Sequence, residues 1–479
     1  MLRLLKTFTK YATGSLFALL AGFITTPILT RLISTEEMGK YSMFITIGSL
    51  FASILYLGLD QSYVRFYNDE NTDSRVCLLS KCLRLPLFAT GIVSILALLF
   101  YRTLSNILIG ENSFIVVFLF VLYLFGLVLD RFWLLKIRMA QKAGAYSILN
   151  VIRKLAYLGI AVILYYVLFG DSSWSLIIAV TLAEFVLLFG ARWVERNNWK
   201  KVDKTISATD KQLLTYGLPF IFSTTITLVF HSTDKLMLKA LSDYHQIGLY
   251  SGAQNIVNLI TQVQTVFTTF WMPVAFEHYS KQPEDKDFFI KMNKIISYAM
   301  LIISLVLLCT KDIVVLFLGA TYRDAVYVFP FLAFMPIMYT VSESTVMGIN
   351  FKMKTNYHVW ISVICALVNA VGNYFLIIRF GAKGAAISTG LSYMVFFALR
   401  TILANKVYPV KFALVRFSVA CGAVYVMAII ASFSKVTLPY ILLSIAITAF
   451  ITFLYRDIIR ESVVLFYKML FKKNTKGSE

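Results

Sequence analysis

Fourteen apolar stretches separated by short polar gaps dominate the pattern of hydrophobic and polar positions along this 479-residue chain. Each stretch is near the roughly 20 residues that an α-helix needs to cross a bilayer. The pattern therefore predicts an all-α polytopic membrane protein with 14 transmembrane helices. The predicted spans, numbered 1 to 14, are 11–33, 42–64, 84–104, 114–135, 148–169, 174–194, 213–239, 247–275, 294–318, 326–348, 359–379, 384–404, 412–433 and 438–456.

Positive charge alternates between the gaps, since most of the 45 Lys and Arg residues fall in every second one. By the positive-inside rule, this alternation predicts that both termini are cytoplasmic. The net charge of +20 is then explained by cytoplasmic loops that face anionic membrane lipids, and it does not indicate a nucleic-acid partner. An apolar content of 59% excludes an ordinary soluble fold.

An internal repeat with a constant offset of 209 residues organises the first twelve spans. Leu32, Gly39 and Tyr41 match Leu241, Gly248 and Tyr250 at that offset. A polar stripe follows one face of span 2, and its six positions are again polar in span 8: Ser42, Thr46, Ser49, Ser53, Tyr56 and Asp60, then Ser251, Asn255, Asn258, Gln262, Thr265 and Thr269. Two parallel six-helix lobes are therefore expected.

The predicted organisation has four parts. The N-lobe covers 1–204 with spans 1–6, and the C-lobe covers 205–408 with spans 7–12. Two extra C-terminal helices, spans 13 and 14, occupy 409–456. Residues 457–479 form a basic amphipathic tail that we expect on the cytoplasmic surface.

The amides of span 8 are the sharpest candidates for binding. Asn255, Asn258 and Gln262 lie in successive turns, and polar side chains in hydrocarbon must meet a partner helix or water. Hydrogen bonding between helices is one interpretation. Three amides in a row favour the other, a hydrated cavity in which they bind sugar hydroxyl groups.

Charged residues inside spans give two further candidate sites. In span 7, Lys235 could bind an anion beside Asp234 as a coupling carboxylate, with His231 titrating near neutral pH. A lipid-shielded pair of Asp234 with Lys235, or snorkelling at the interface, is the alternative. Glu184 and Glu343 lie well inside spans 6 and 10. Each is a candidate for coupling to a proton or a monovalent cation, and a structural ion pair is the alternative.

No motif for catalysis was found in the sequence. It contains no G-x-S-x-G elbow, no phosphate-binding G-x-x-x-x-G-K-[ST] loop and no metal-ligand spacing among its four His and five Cys residues. We therefore expect a protein that is not an enzyme, with no cofactor and no metal.

Three short motifs resemble those of polysaccharide-unit flippases of the O-antigen and capsule type, which belong to the multidrug/oligosaccharidyl-lipid/polysaccharide exporter superfamily. The first runs from Asp234-Lys235-Leu236-Met237-Leu238 to Gly248-Leu249-Tyr250 and Ala253. The second is the turn Thr30-Arg31-Leu32 through Gly39-Lys40-Tyr41, and the third is Phe380-Gly381-Ala382-Lys383-Gly384-Ala385-Ala386-Ile387. The resemblance includes the helix count.

The resemblance implies two lobes around a cavity that works by alternating access in the bacterial cytoplasmic membrane. The implied partner is an undecaprenyl-pyrophosphate-linked oligosaccharide, moved from the inner to the outer leaflet, with spans 13 and 14 forming a groove for its lipid tail. Its diphosphate would need cations, for which Arg31, Arg65 and Lys235 are nominated. Together with Asp60, His231 and the three amides they form the expected substrate site; Asp234, Glu184 and Glu343 are the expected coupling residues.

Two other functions compete with this interpretation. A multidrug exporter of the same superfamily should have an acidic, aromatic cavity without the basic groups and amides seen here. An integral membrane polysaccharide polymerase or ligase usually needs a large outer loop, and no outer gap between the predicted spans is longer than a dozen or so residues.

Overall fold

The computed structural model describes residue 22 and residues 24–71, 74–196, 206 and 208–460. Within these ranges the chain is helical and contains no strand. The first half of predicted span 1, at 11–21, and residues 461–479 of the predicted amphipathic tail lie outside the described residues. The fold class is therefore confirmed as an all-helical protein, and the tail stays a prediction.

Helices follow one another with short connections along the described chain. A helical segment over 24–32 precedes them. They are α1 Thr35–Leu55, α2 Leu59–Phe66, α3 Arg75–Leu99, α4 Tyr101–Ile109, α5 Phe114–Met139, α6 Ala143–Leu164, α7 Ser173–Val194, α8 Asp210–Leu241, α9 Tyr244–Lys281, α10 Asp287–Cys309, α11 Lys311–Val314, α12 Phe329–Leu332, α13 Phe334–Thr345, α14 Met347–Phe351, α15 Asn356–Phe380, α16 Ala382–Val407, α17 Leu414–Phe433 and α18 Leu438–Leu454.

Ten of these helices, α6 being taken with the π-helical turn that ends it, are long and apolar enough to cross a membrane. The bent pair Ala320–Tyr327 and Phe329–Thr345 raises the number to 11 if it forms one span. The described chain is thus a multi-pass membrane protein with ten or eleven candidate spans. α18 has only 17 residues, and α9 is long enough but is not among the ten. The count of fourteen stays a prediction.

Several predicted spans, spans 2 and 10 among them, are not single straight helices. Span 2 is interrupted between α1 and α2, where Leu57 and Gly58 have φ angles of 53° and 65°. A side chain on Gly58 would overlap the backbone of Gly217 in α8, so the absence of a Cβ is needed there. Span 10 begins as a 3₁₀ segment and bends by 57°.

Contacts group the chain into two compact units. Unit 1 comprises Met1–Ser251 and Leu318–Tyr322, and unit 2 comprises Gly252–Phe317 and Arg323–Glu479. The first unit therefore includes α8, which the sequence analysis assigned to the C-lobe at its 204/205 boundary. Buried Tyr63 and Phe132 lie in a core cluster of unit 1, and Trp271 lies at the centre of one in unit 2.

Candidate functional site

The N-termini of α1 and α9 meet in two equivalent contacts within unit 1. A Cβ on Gly39 would overlap the backbone carbonyl of Tyr244, and a Cβ on Gly248 would overlap that of Thr35. The two glycines are 209 residues apart, and so are Thr35 and Tyr244. Each helix thus presents a glycine to the first residue of the other, and this reciprocal contact has the offset of the sequence repeat.

The polar stripe of span 2 is mostly buried. The hydroxyl groups of Ser42 and Ser251, again 209 residues apart, are 2.8 Å from each other. Thr46 donates to the backbone carbonyl of Ser42, 2.7 Å away. In unit 1, therefore, this stripe is occupied by hydrogen bonds between and within helices.

The amide stripe of span 8 lies in unit 2 and is more open. Asn258 is exposed, whereas Asn255 and Gln262 are half-buried. Gln254 donates to Asn258 across 3.3 Å, within the same helix. The amides are therefore accessible to a ligand, in contrast to the serine and threonine positions of span 2.

Asp234 and Lys235 have different surroundings in unit 1. Asp234 is 4% exposed and accepts a hydrogen bond from the hydroxyl group of Tyr250 in α9. Lys235 is half-buried and His231 is exposed. The hydrogen bond joins the two halves of the first sequence motif, Asp234-Lys235 in α8 and Gly248-Leu249-Tyr250 in α9.

The nominated residues Arg31, Asp60 and Arg65 are not brought to a common partner. Asp60 is buried and pairs with Arg131, with 2.7 Å between the guanidinium and the carboxylate. Arg65 pairs with Asp69 at 2.8 Å, and about half of each side chain is exposed. Arg31 is exposed. Of the three, Asp60 thus has a buried ion-pair contact, and the two arginines lie at the surface of the described residues.

Both intramembrane glutamates have arginine partners. Arg153 of α6 lies 3.2 Å from Glu184 of α7 in unit 1. In unit 2, Arg400 of α16 lies 2.7 Å from Glu343 of α13 and also donates to the hydroxyl group of Ser342. These contacts correspond to the ion-pair interpretation, and the coupling role of the two glutamates stays a prediction.

A basic cavity in unit 1 contains residues that sequence reasoning missed. It measures about 450 Å³ and is lined by Arg102, Thr103, Asn106, Ile107, Asn112 and Lys239. The ammonium group of Lys239 lies 3.7 Å from the ring centre of Tyr244. These residues come from α4, the turn after it and α8, so no sequence spacing could have united them.

A larger groove in unit 2 runs along α18 and the helical residues 456–460 that follow. It measures about 670 Å³ and is lined by Ile445, Thr448, Ala449, Thr452, Phe453, Arg456, Ile459 and Arg460. Asp457 lies beside it and pairs with Arg416 at 2.8 Å. Burial raises the pKa of Asp457, but hydrogen bonds from Arg416 and the backbone outweigh burial and bring this pKa below its usual value. Asp457 therefore pairs with Arg416, and Arg456 and Arg460 make the end of the groove basic.

These features define a class: a helical multi-pass membrane protein built from two units, with polar or charged groups buried in each. The chain belongs to the polysaccharide biosynthesis protein family, whose profile matches residues 4–279, more than half of the sequence. The resemblance drawn from the three sequence motifs is thereby confirmed. No curated protein sequence matches the chain.

Solved structures show the same fold at low identity. The lipid II flippase MurJ in an inward closed conformation has a TM-score of 0.70 at 12% identity, covering 95% of this chain and 99% of that chain. An inward-facing multidrug resistance MATE family transporter of the MOP superfamily has a TM-score of 0.56 at 15% identity, covering 82% and 94%. An outward-facing one has a TM-score of 0.54 at 16% identity, covering 85% and 94%. The fold is therefore that of MOP-superfamily transporters.

Proposed function

We propose that this protein is a flippase that moves undecaprenyl-pyrophosphate-linked oligosaccharide repeat units from the inner to the outer leaflet of the bacterial cytoplasmic membrane by alternating access. Membership of the polysaccharide biosynthesis protein family and the fold shared with a lipid II flippase support this function. The observation that carries it is the accessible amide stripe of α9, because amides both donate to and accept from sugar hydroxyl groups.

The substrate would meet three kinds of side chain. Asn255, Asn258 and Gln262 bind the saccharide, with His231 and Asp60 contributing further polar contacts. The diphosphate needs cations, and Arg31, Arg65 and Lys235 supply them. Arginine suits this task because its planar fork matches the geometry of phosphate oxygens.

The groove along α18 would hold the lipid tail. Its walls are apolar along Ile445, Ala449 and Phe453, which suits an isoprenoid chain, and it ends in Arg456 and Arg460. A charged, sugar-bearing head group cannot cross hydrocarbon unaided, whereas the tail can stay in the bilayer throughout. A groove that holds the tail in contact with lipid is therefore compatible with a separate polar path for the head group.

Transport would require no chemistry by the protein itself. We propose fourteen spans, cytoplasmic termini and no enzymatic activity, with Asp234, Glu184 and Glu343 coupling transport to a proton or a monovalent cation. Moving one charge through the full membrane field is worth about 2.3 kcal/mol per 100 mV, which would bias a two-state transporter more than tenfold.

Flipping by purified protein in liposomes tests the proposal. A lipid-linked oligosaccharide with a fluorescent saccharide is quenched from outside, and the protected fraction is followed with time. We expect wild-type protein to exchange the lipid between leaflets. The triple variant Asn255→Ala, Asn258→Ala, Gln262→Ala should slow exchange at least about tenfold, because each lost hydrogen bond costs about 1 kcal/mol. Val263→Ala on the same helix is the matched control.

Four outcomes would contradict the proposal. Two of them are equal exchange in wild-type and protein-free liposomes, and equal exchange by the triple variant and the wild type. Extrusion of cationic drugs without flipping would instead indicate the multidrug exporter, and growth of the saccharide chain would indicate a polymerase.

A further inference from the structure

Asp130 of α5 is a buried carboxyl group to which no described residue donates a hydrogen bond. Its side chain lies inside unit 1, where the residue is 3% exposed. Neither carboxyl oxygen accepts a hydrogen bond from an N–H or O–H group among the described residues. An ionised carboxylate buried in this way would be strongly destabilising, since it has lost its water and gained nothing in exchange.

The group that Asp130 does meet is a second carboxyl. Gly126 lies one helical turn earlier on the same face of α5, and a Cβ there would lie 2.9 Å from the Cβ of Glu184. α5 and α7 therefore approach closely at this level. This approach brings Asp130 and Glu184 near enough for their carboxyl charges to act on each other. Two carboxyl groups can share a hydrogen bond only when one of them carries a proton.

Among the described residues, Arg153 is the cation that pairs with Glu184 and also acts electrostatically on Asp130. Arg153 of α6 lies 3.2 Å from Glu184, and it also donates to Asn150 at 3.4 Å. Among the described residues, the other titratable groups that act electrostatically on this cluster include Tyr56, Tyr123 and Tyr41, together with Lys154, which acts on Arg153. Two ionised acids and one guanidinium would leave an excess negative charge in a buried site. The Asp60–Arg131 pair nearby is already balanced.

A proton removes this excess charge better than a metal cation would. A metal ion would lie beside the Arg153 guanidinium, which repels it. It would also need several oxygen ligands, and no group of three or more His, Cys, Asp or Glu residues that could hold a metal ion exists among the described residues. A proton needs only one carboxyl oxygen, and it converts that acid into a donor for the other.

We infer that Asp130 and Glu184 form a carboxyl pair that holds one exchangeable proton, with Arg153 as its fixed counter-ion. The proton binds to a carboxyl oxygen from water and returns to water on release. Release leaves two carboxylates on one guanidinium, so it favours a state of unit 1 in which water reaches the pair. This proton site names the ion and the residues for the proposed ion coupling. Only its role in transport rests on the proposed function.

Infrared spectroscopy of the purified full-length protein tests the site without any substrate. Wild-type protein at neutral pH should show the carbonyl-stretch band of a protonated carboxylic acid in a non-aqueous environment. Asp130→Asn should abolish this band, because its amide keeps the shape of the protonated acid but holds no titratable proton. Asp130→Asn should also fold and unfold like the wild type, since it leaves the pair of Glu184 with Arg153 intact.

Asp60→Asn is the matched control, because Asp60 is buried too but lies in an ion pair with Arg131. It should leave the band unchanged. Absence of the band in wild-type protein, or its persistence in Asp130→Asn, would overturn the proton site. In the flipping assay, Asp130→Asn should lose the dependence of the rate on a pH gradient. Flipping that is absent in wild-type protein while the infrared band is present would refute the flippase and leave the proton site standing.

Discussion

Removing one partner of a buried ion pair has a very different effect from removing both. Glu343 and Arg400 are each about 5% exposed in unit 2, and the tryptophan N–H of Trp271 fixes the backbone carbonyl of Glu343. With its partner neutralised, Arg400 would be a buried cation without a counter-charge. The pair can therefore serve folding whether or not Glu343 also couples transport to an ion.

Glu343→Gln should lower the free energy of unfolding by at least about 3 kcal/mol, because it leaves the Arg400 charge uncompensated. The double variant Glu343→Gln, Arg400→Met should recover most of that loss. Unfolding of the purified protein in detergent measures both. If Glu343→Gln is as stable as wild type but no longer flips, the role of Glu343 is coupling and the ion pair contributes little to stability.

The buried acids could be predicted from the sequence, but the residues that pair with them could not. A carboxylate inside an apolar stretch is visible in the sequence, so Glu184 and Glu343 could be nominated. The pairing of Glu184 with Arg153 and of Glu343 with Arg400 depends on which helices pack together. Helical spacing within one span carries no information about that. Asp130 inside span 4 is visible in the same way, but its closeness to Glu184 depends on helix packing that the sequence does not show.

Helix contacts explain why glycine is found at two equivalent positions of the repeat. Gly39 and Gly248 each lie against the backbone of the other helix, so any side chain must push α1 and α9 apart. Gly39→Ala and Gly248→Ala should each lower the free energy of unfolding by about 1–3 kcal/mol, as overpacking does in cores. Thermal unfolding in detergent, followed by tryptophan fluorescence, measures the effect.

Gly159→Ala in α6 is the control, because nothing lies within 4 Å of the position that its Cβ would take. It should be neutral or slightly stabilising, since alanine favours the helix. Equal stability of all three variants and the wild type would show that α1 and α9 do not pack at these glycines.

The face of α9 that carries the amides should be wet in the membrane. Thiols react as thiolates, which need water. Cysteines at 255, 258 and 262, in a background without the native cysteines, should therefore react with a polar thiol reagent in membranes. Cysteine in place of Val257 or Ile260, which are 0% and 3% exposed, should react slowly. Val263→Cys is the sharper control, because position 263 is exposed but lies on an apolar face. If this cysteine reacted as fast as those at 255, 258 and 262, the amide face would not be hydrated.

Helix boundaries could be predicted where the length of an apolar stretch sets them. They could not be predicted where backbone geometry interrupts the helix. α5, α7 and α15 begin within a few residues of the predicted spans. The interruption of span 2 depends on Leu57, a residue whose side chain gives no signal for its positive φ. The 57° bend in span 10 lies beside Pro330, in a stretch whose apolar pattern does not mark a break.

In unit 1, every second connection between predicted spans lies at the same end of the helices. The backbone N–H of Ser34 donates to Asp171 across 2.8 Å, and Lys40 pairs with Glu111 at 3.0 Å. These contacts join the gaps after predicted spans 1, 3 and 5. Another set, Lys81 with Asp210 at 3.3 Å and Lys142 with Glu195 at 2.5 Å, joins the gaps after spans 2, 4 and 6. The chain therefore changes ends at each of these spans.

We expect the orientation of the chain in the membrane to follow from the charge of these two ends. The end that contains Lys81 and Lys142 belongs to the gaps rich in Lys and Arg, which the positive-inside rule assigns to the cytoplasm. A reporter that is active only in the cytoplasm should therefore work when fused after Gln141, and one that is active only outside should work after Asp171. The two fusion sites flank α6 and its final turn, which form one candidate span of 27 residues. Both sites on one face would mean that α6 does not cross the membrane. The reverse result would keep every span but place both termini outside. The end of the protein that we expect to face the cytoplasm would then face the outer leaflet, contrary to the proposed direction of transport.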